Sequence, residues 1–71
     1  MDIQKVGTFK GVVVYHYDFE NKDGKKVQTT KVLFNINGTA VYINSKDANE
    51  QKIGSVVLYD LGYNGSKWVI I

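Results

Sequence analysis

The sequence predicts an all-β domain of five strands. Three observations carry that prediction. The dipeptides Asp23-Gly24, Asn37-Gly38 and Asn64-Gly65 are hairpin-type turn signals, because Asn, Asp and Gly reach positive φ at low cost. The runs between them are rich in Val, Ile, Thr, Tyr and Phe, which suit a pleated, half-buried surface. Finally, the chain has 71 residues and no proline, enough for one small domain and nothing to break a ladder.

The first strand is expected over residues 5–19. One face of a regular strand there would carry Phe9, Val13, Tyr15, Tyr17 and Phe19. The other would carry Lys10, Val12, Val14, His16 and Asp18. Gly7 and Gly11 interrupt the run and predict a bulge or sharp bend. A long bent first strand is what a small barrel needs for one strand to serve two sheets. A bulge would also swap the two faces.

The second strand is expected over 26–36, with Val32, Phe34 and Ile36 inward, and Lys31, Leu33 and Asn35 on the other face. The third covers 39–44, where Val41 and Ile43 oppose Ala40 and Tyr42. Residues 45–54 show no alternation. Ser45 suits an N-cap, Asp47 a first turn and Gly54 a C-terminal stop, so the segment predicts one or two helical turns or else a polar loop. The fourth strand follows over 55–60 or 61, then a glycine-rich loop over 61–66, then a fifth strand over 67–71.

The order is long strand, hairpin, strand, hairpin, strand, connecting segment, strand, hairpin, strand. That layout resembles the oligonucleotide/oligosaccharide-binding (OB) barrel. An SH3-like barrel is the alternative, but its short helical turn usually lies between the fourth and fifth strands, where this chain has a tight Asn-Gly turn.

Composition narrows the chemistry. The apolar fraction is 44% and the charged fraction 23%, an ordinary globular balance that argues against disorder. There is no cysteine, so disulfides and thiolate metal sites are excluded. No apolar run reaches the roughly 20 residues that cross a bilayer as a helix. The N-terminus has no apolar h-region, which predicts a cytoplasmic protein. Asn37-Gly38-Thr39 and Asn64-Gly65-Ser66 match glycosylation sequons, and turn geometry accounts for both.

Nucleophilic catalysis needs an activated side chain beside a base, and the single imidazole, His16, lies in a strand. Asp18 and Glu20 could form a carboxylate pair, but they lie at a strand end beside Lys22, Lys25 and Lys26. The loop around Asp23-Gly24 fails as a calcium loop. With Gly24 in the sixth position, Phe19 and Thr30 would occupy the first and twelfth, which require carboxylates. No dinucleotide or Walker motif is present. The expectation is a binding module that is not an enzyme, with no metal and no cofactor.

What remains is aromatics among lysines. Aromatic residues make up 13% of the chain, more than a five-stranded interior holds. Single-stranded nucleic acid is held by stacking bases on exposed rings while cations track the phosphates. The predicted nucleic-acid-binding residues are therefore Tyr15, Tyr17, Phe19 and Tyr42 as stacking platforms, Tyr63 in the last hairpin, Lys22, Lys25 and Lys26 at the first hairpin, and Lys31 and Lys67 along the groove. Against this stand a net charge of only +2, a pI of about 8.9, the dilution of the first hairpin by Asp18, Glu20 and Asp23, and the absence of arginine. Missing arginine weighs against bidentate recognition more than against non-specific binding.

The competing reading is a protein-interaction module, a small inhibitor or adaptor. Tyr and Trp anchor protein interfaces, and an apolar edge strand ending in Trp68-Val69-Ile70-Ile71 invites pairing with a partner or a second copy. Exposure of Tyr15, Tyr17 and Tyr42 on one face beside Lys31 and Lys25 favours nucleic acid. Burial of those rings favours the interaction module.

Overall fold

A computed structural model describes residues 3–71. It contains β1 (Gln4–Glu20), β2 (Lys26–Ile36), β3 (Thr39–Ser45), β4 (Val56–Tyr63) and β5 (Trp68–Ile70), and no helix among the described residues. All five strands lie in one antiparallel sheet of order β3-β2-β1-β4-β5.

The core lies on one side of this sheet. Val13, Val32, Phe34, Ile36 and Leu61 are buried there together with Ala48 from the connecting segment, and Phe9, Val41, Ile43, Val57, Tyr59, Trp68 and Ile70 pack against them. Every strand contributes, so the sheet must curl around its own side chains. Gly11 permits the tightest approach. A Cβ at that position would stand 2.5 Å from Val32 Cγ1 and 2.7 Å from the Phe34 ring, so Phe34 occupies the space a side chain would need.

The curl brings the two edges, β3 and β5, into contact, yet no ladder joins them. The antiparallel pairings make β3, β1 and β5 run in the same direction. Closing the seam would therefore take a parallel pairing, slightly weaker per residue, against a β5 of only three residues. The sheet accordingly stays open where a barrel was expected.

β1 departs from a regular strand in two places, and neither is a glycine. The register shifts between Val13 and Tyr15 against β2, and between Lys5 and Gly7 against β4, so Val14 and Val6 are the extra residues. The first shift corrects the expected faces. Phe9, Gly11 and Val13 point into the core, but Tyr15, Tyr17 and Phe19 do not share their face. They pair with Lys31, Thr29 and Val27, on the outer side of the sheet. His16 pairs with buried Thr30 on the inner side.

The connection from β3 to β4 is a chain of turns, closed by Asn49 N–H to Lys46 O, Gln51 N–H to Ala48 O and Ser55 N–H to Lys52 O. The helical option is thereby corrected to the loop option. Tertiary bonds hold this loop in place of helical ones. Asn49 Oδ1 accepts from the Thr30 hydroxyl at 2.7 Å, and its Nδ2 donates to Gln28 O at 3.0 Å. Ser45 ends β3 instead of capping a helix, and its hydroxyl donates to Tyr59 Oη at 3.3 Å.

Of the three turn dipeptides, only Asn37-Gly38 has both residues at positive φ, 53° and 83°, as a two-residue type I′ turn requires. In the first hairpin Asn21 closes the turn, accepting on Oδ1 from the amides of Asp23 and Lys25, and Gly24 alone takes positive φ. In the last, Asn64 Oδ1 accepts from the amides of Ser66 and Lys67. The fourth strand reaches past residue 61, so residues 62 and 63, expected in the glycine-rich loop, belong to β4.

Candidate nucleic-acid interface

The Val14 bulge creates the site. By turning the second half of β1 over, it places Tyr15, Tyr17 and Phe19 in a row on the outer face. Successive rings lie 5.6 Å and 6.4 Å apart. Tyr15 is 47% and Phe19 42% exposed, while Tyr17 between them is half-buried. The Tyr17 hydroxyl donates to Asn44 Oδ1 on β3 at 3.0 Å, spanning β2. Thr29, opposite Tyr17 in the ladder, is buried beneath this cover. Lys31 on β2 places its Nζ 5.5 Å from the Tyr17 ring centroid.

Further across the sheet, Tyr42 on β3 is 57% exposed. It stands opposite Leu33 on β2, which stands opposite Val12 on β1. Tyr42, Asn44 and Lys31 form one wall of an open groove of about 350 Å³. The other wall comes from Lys67, Trp68, Val69 and Ile70, and Ile43 lies between. The groove follows the unpaired seam between β3 and β5.

Strand alternation also sorts the charge. Asp18 and Glu20 pair with Gln28 and Lys26, on the face opposite the rings. The outer-facing residues of β1 beyond the bulge, of β2 and of β3 include Lys31 and no carboxylate. The acidic dilution feared from the sequence thus lies mostly on the other side. Asp60, on β4, is occupied elsewhere: it accepts from the Thr8 hydroxyl and pairs with Lys5 at 3.5 Å. These two partners, Thr8 first, hold its carboxyl below the ordinary range against a weaker opposing desolvation.

The predicted residues thus divide. Tyr15, Tyr17, Phe19, Lys31 and Tyr42 come together on one face, with Lys67 across the groove. Lys22 and Lys25 lie exposed in the hairpin at the end of the ring row. Lys26 faces the opposite side, paired with Glu20. Tyr63 is also separate. It shares the parity of core Leu61 and packs edge-on against Trp68, with centroids 5.4 Å apart. Asn44, which the sequence does not single out, and Trp68, expected only on an interaction edge, also line the groove. Neither carries a local signal, because the groove exists only through the approach of β3 to β5.

No three of His, Cys, Asp and Glu cluster as a metal site among the described residues, and no helix there is long and apolar enough to cross a membrane. Comparison with protein-family models, with curated proteins and with solved structures finds no match.

Proposed function

We propose that the curled sheet is an OB-type barrel, open at one seam, that binds single-stranded nucleic acid without strong sequence preference. The OB architecture is a partly open five-stranded barrel whose ligand face lies on the second and third strands, rimmed by the first and last hairpin loops. Here Lys31, Tyr42 and Asn44 lie on those strands, and the loops at residues 21–25 and 64–67 carry Lys22, Lys25 and Lys67. An SH3-like arrangement accounts less well for a long connection between β3 and β4 and a short one between β4 and β5.

The observation that carries the reading is the exposed ring row Tyr15–Tyr17–Phe19 beside Lys31, on a face free of carboxylates from β2, β3 and the adjoining half of β1. Bases stack on such rings at about 1–3 kcal/mol each, and lysine suffices for phosphate neutralisation without sequence readout. The role is binding, not catalysis. The test is fluorescence anisotropy of a labelled dT oligonucleotide across a salt series. Micromolar or tighter binding that weakens steeply with salt is expected, and no binding at low salt rejects the reading.

A second reading rests on a separate observation. Val12 and Val56 are cross-strand neighbours and, with Leu58, leave 39%, 64% and 63% of their surface exposed. An aliphatic patch of this kind suits a protein partner or a second copy. Light scattering of wild type and Leu58→Lys tests it: an assembly that the variant dissolves favours this reading, and a monomer in both removes the second copy.

A further inference from the structure

We infer, independently of the single-strand reading above, that the open edge of β1 beyond its bulge pairs with a second copy of this chain, antiparallel about a two-fold axis at Tyr17. β4 pairs with β1 only from Gln4 to Val12. Val13 makes the last main-chain bonds on that side, accepting from Gly54 N–H at 2.7 Å and donating to Ser55 O at 2.9 Å. Beyond it β1 pairs with β2 alone, so residues 15–20 have one open edge.

Register determines which groups that edge presents. Asn21 N–H donates to Lys25 O at 2.9 Å, so the Asn21 main chain points toward β2. Main-chain direction alternates along a strand. Phe19, Tyr17 and Tyr15 therefore bond to β2, and the N–H and C=O groups of Glu20, Asp18 and His16 point away from it. β2 keeps the same phase: Gln28, opposite Asp18, turns its carbonyl outward, where Asn49 Nδ2 donates to it at 3.0 Å. Asn49 thus covers the β2 edge of this ribbon. On the β1 edge no main-chain bond to His16, Asp18 or Glu20 forms among the described residues, and Asp18 and Glu20 are exposed. An edge in this state is a template for another strand.

Charge complementarity selects the occupant and the register. With the axis at Tyr17, His16 stands opposite the partner's Asp18, and the two-fold repeats the pair. Each such pair exchanges main-chain bonds and sets an imidazole against a carboxylate on the inner side. Moving the axis to Asp18 or to His16 would set that residue against itself. Thr30 gives its hydroxyl proton to Asn49, so His16 Nδ1, 2.6 Å from the Thr30 hydroxyl, is the donor there. Only a protonated Nε2 can then donate to the partner's Asp18, so the imidazolium form favours the pairing. Thr30 and, behind it, Asn49 are uncharged. The charged residues sharing the inner side of the ribbon are Asp18 and Glu20 on β1 and Lys26 on β2. On the outer side Tyr17 meets the partner's Tyr17, and exposed Tyr15 meets the partner's Phe19. The two ring rows then lie side by side as one aromatic surface.

The chain has no cysteine, so placed thiols report the register. Tyr15→Cys and Phe19→Cys each replace an exposed ring. Opposed residues of a non-hydrogen-bonded pair lie about 4.5 Å apart at Cα, within disulfide reach. Mild oxidation of an equimolar mixture of the two variants is expected to give the mixed dimer in excess of its statistical share. Light scattering up to about a millimolar is expected to show self-association that is tighter at about pH 6 than at about pH 8. Asp18→Lys should weaken it about tenfold, because symmetry applies the change twice, and Leu58→Lys should leave it unchanged. A statistical crosslink pattern, a monomer at every concentration, or an assembly dissolved by Leu58→Lys and not by Asp18→Lys overturns the β1 edge as the contact. Failure of oligonucleotide binding would leave it standing.

Discussion

The Lys31 ammonium stands 5.5 Å from the centroid of the Tyr17 ring, one strand away and on the sheet face opposite the core. The contact holds a half-buried ring between two exposed ones, and it keeps a cation beside surfaces on which bases can stack. A cation over an aromatic face is worth about 0.5–1 kcal/mol where solvent reaches it, so its stabilising part is small. Replacing Lys31 with Gln is therefore expected to leave the protein folded and to lower the slope of log affinity against log salt by about 0.7, the value for one phosphate contact on a single strand. An unchanged slope removes Lys31 from the phosphate path.

The first hairpin makes a separate electrostatic prediction. Lys25→Glu combined with Lys26→Glu is expected to reduce the salt slope, and Lys25 should account for most of the change because Lys26 pairs with Glu20 on the face away from the rings. The two single variants, titrated alike, check the division. Equal effects would mean that the strand wraps around the hairpin.

Gly11 governs how closely β1 and β2 pack over the core. Gly11→Ala drives a methyl group into Val32 and Phe34, and overpacking of this kind costs about 1–3 kcal/mol. Urea denaturation should show that loss. A variant as stable as the parent would mean that Phe34 has room to move.

Much of this architecture was legible in the sequence, and the failures have identifiable causes. The strands were readable because β-branched and aromatic runs ended at Asn-Gly and Asp-Gly, and Val32, Phe34 and Ile36 alternate cleanly into the core. The faces of β1 were not readable. Val14 is as apolar as its neighbours, so nothing local marks it as the residue that bulges. Tyr15, Tyr17 and Phe19 stand out in the sequence as aromatics near lysines, but they reach the outer face only through that bulge. The loop after β3 looked helical because its residues are polar and carry capping groups. Asn49 instead spends its amide on Thr30 and Gln28, and Ala48 is buried in the core.

That loop anchor can be measured. Asn49→Ala removes the bonds to the Thr30 hydroxyl and to Gln28 O while His16 Nδ1, 2.6 Å away, remains a partner of that hydroxyl, and each lost bond is worth about 0.5–1.5 kcal/mol. The loop amides from 46 to 52 should also exchange faster. If stability holds and exchange is unaltered, Ala48 alone anchors the loop.

Asp60 supplies the pH dependence. Its carboxyl titrates below the ordinary value of about 3.9 because Thr8 donates to it and Lys5 lies close. A depressed folded-state value gives stability that is present above the unfolded-state value and lost as pH falls through the folded one. Thr8→Ala is expected to raise the Asp60 midpoint toward the ordinary value in a carboxyl NMR titration. A midpoint that stays in place would assign the whole shift to Lys5.

The central claim is that rings on the outer face hold a nucleic-acid strand by stacking, and Tyr42 tests it most directly. It is the most exposed of the proposed rings, so Tyr42→Ala should leave the thermal transition almost unmoved. Affinity for a labelled dT oligonucleotide should be measured at low salt for parent and variant side by side. A stack worth about 1–3 kcal/mol predicts weakening between about fivefold and about 150-fold, with an unchanged salt slope. Equal affinity in the two proteins, or no binding by the parent, would contradict the account.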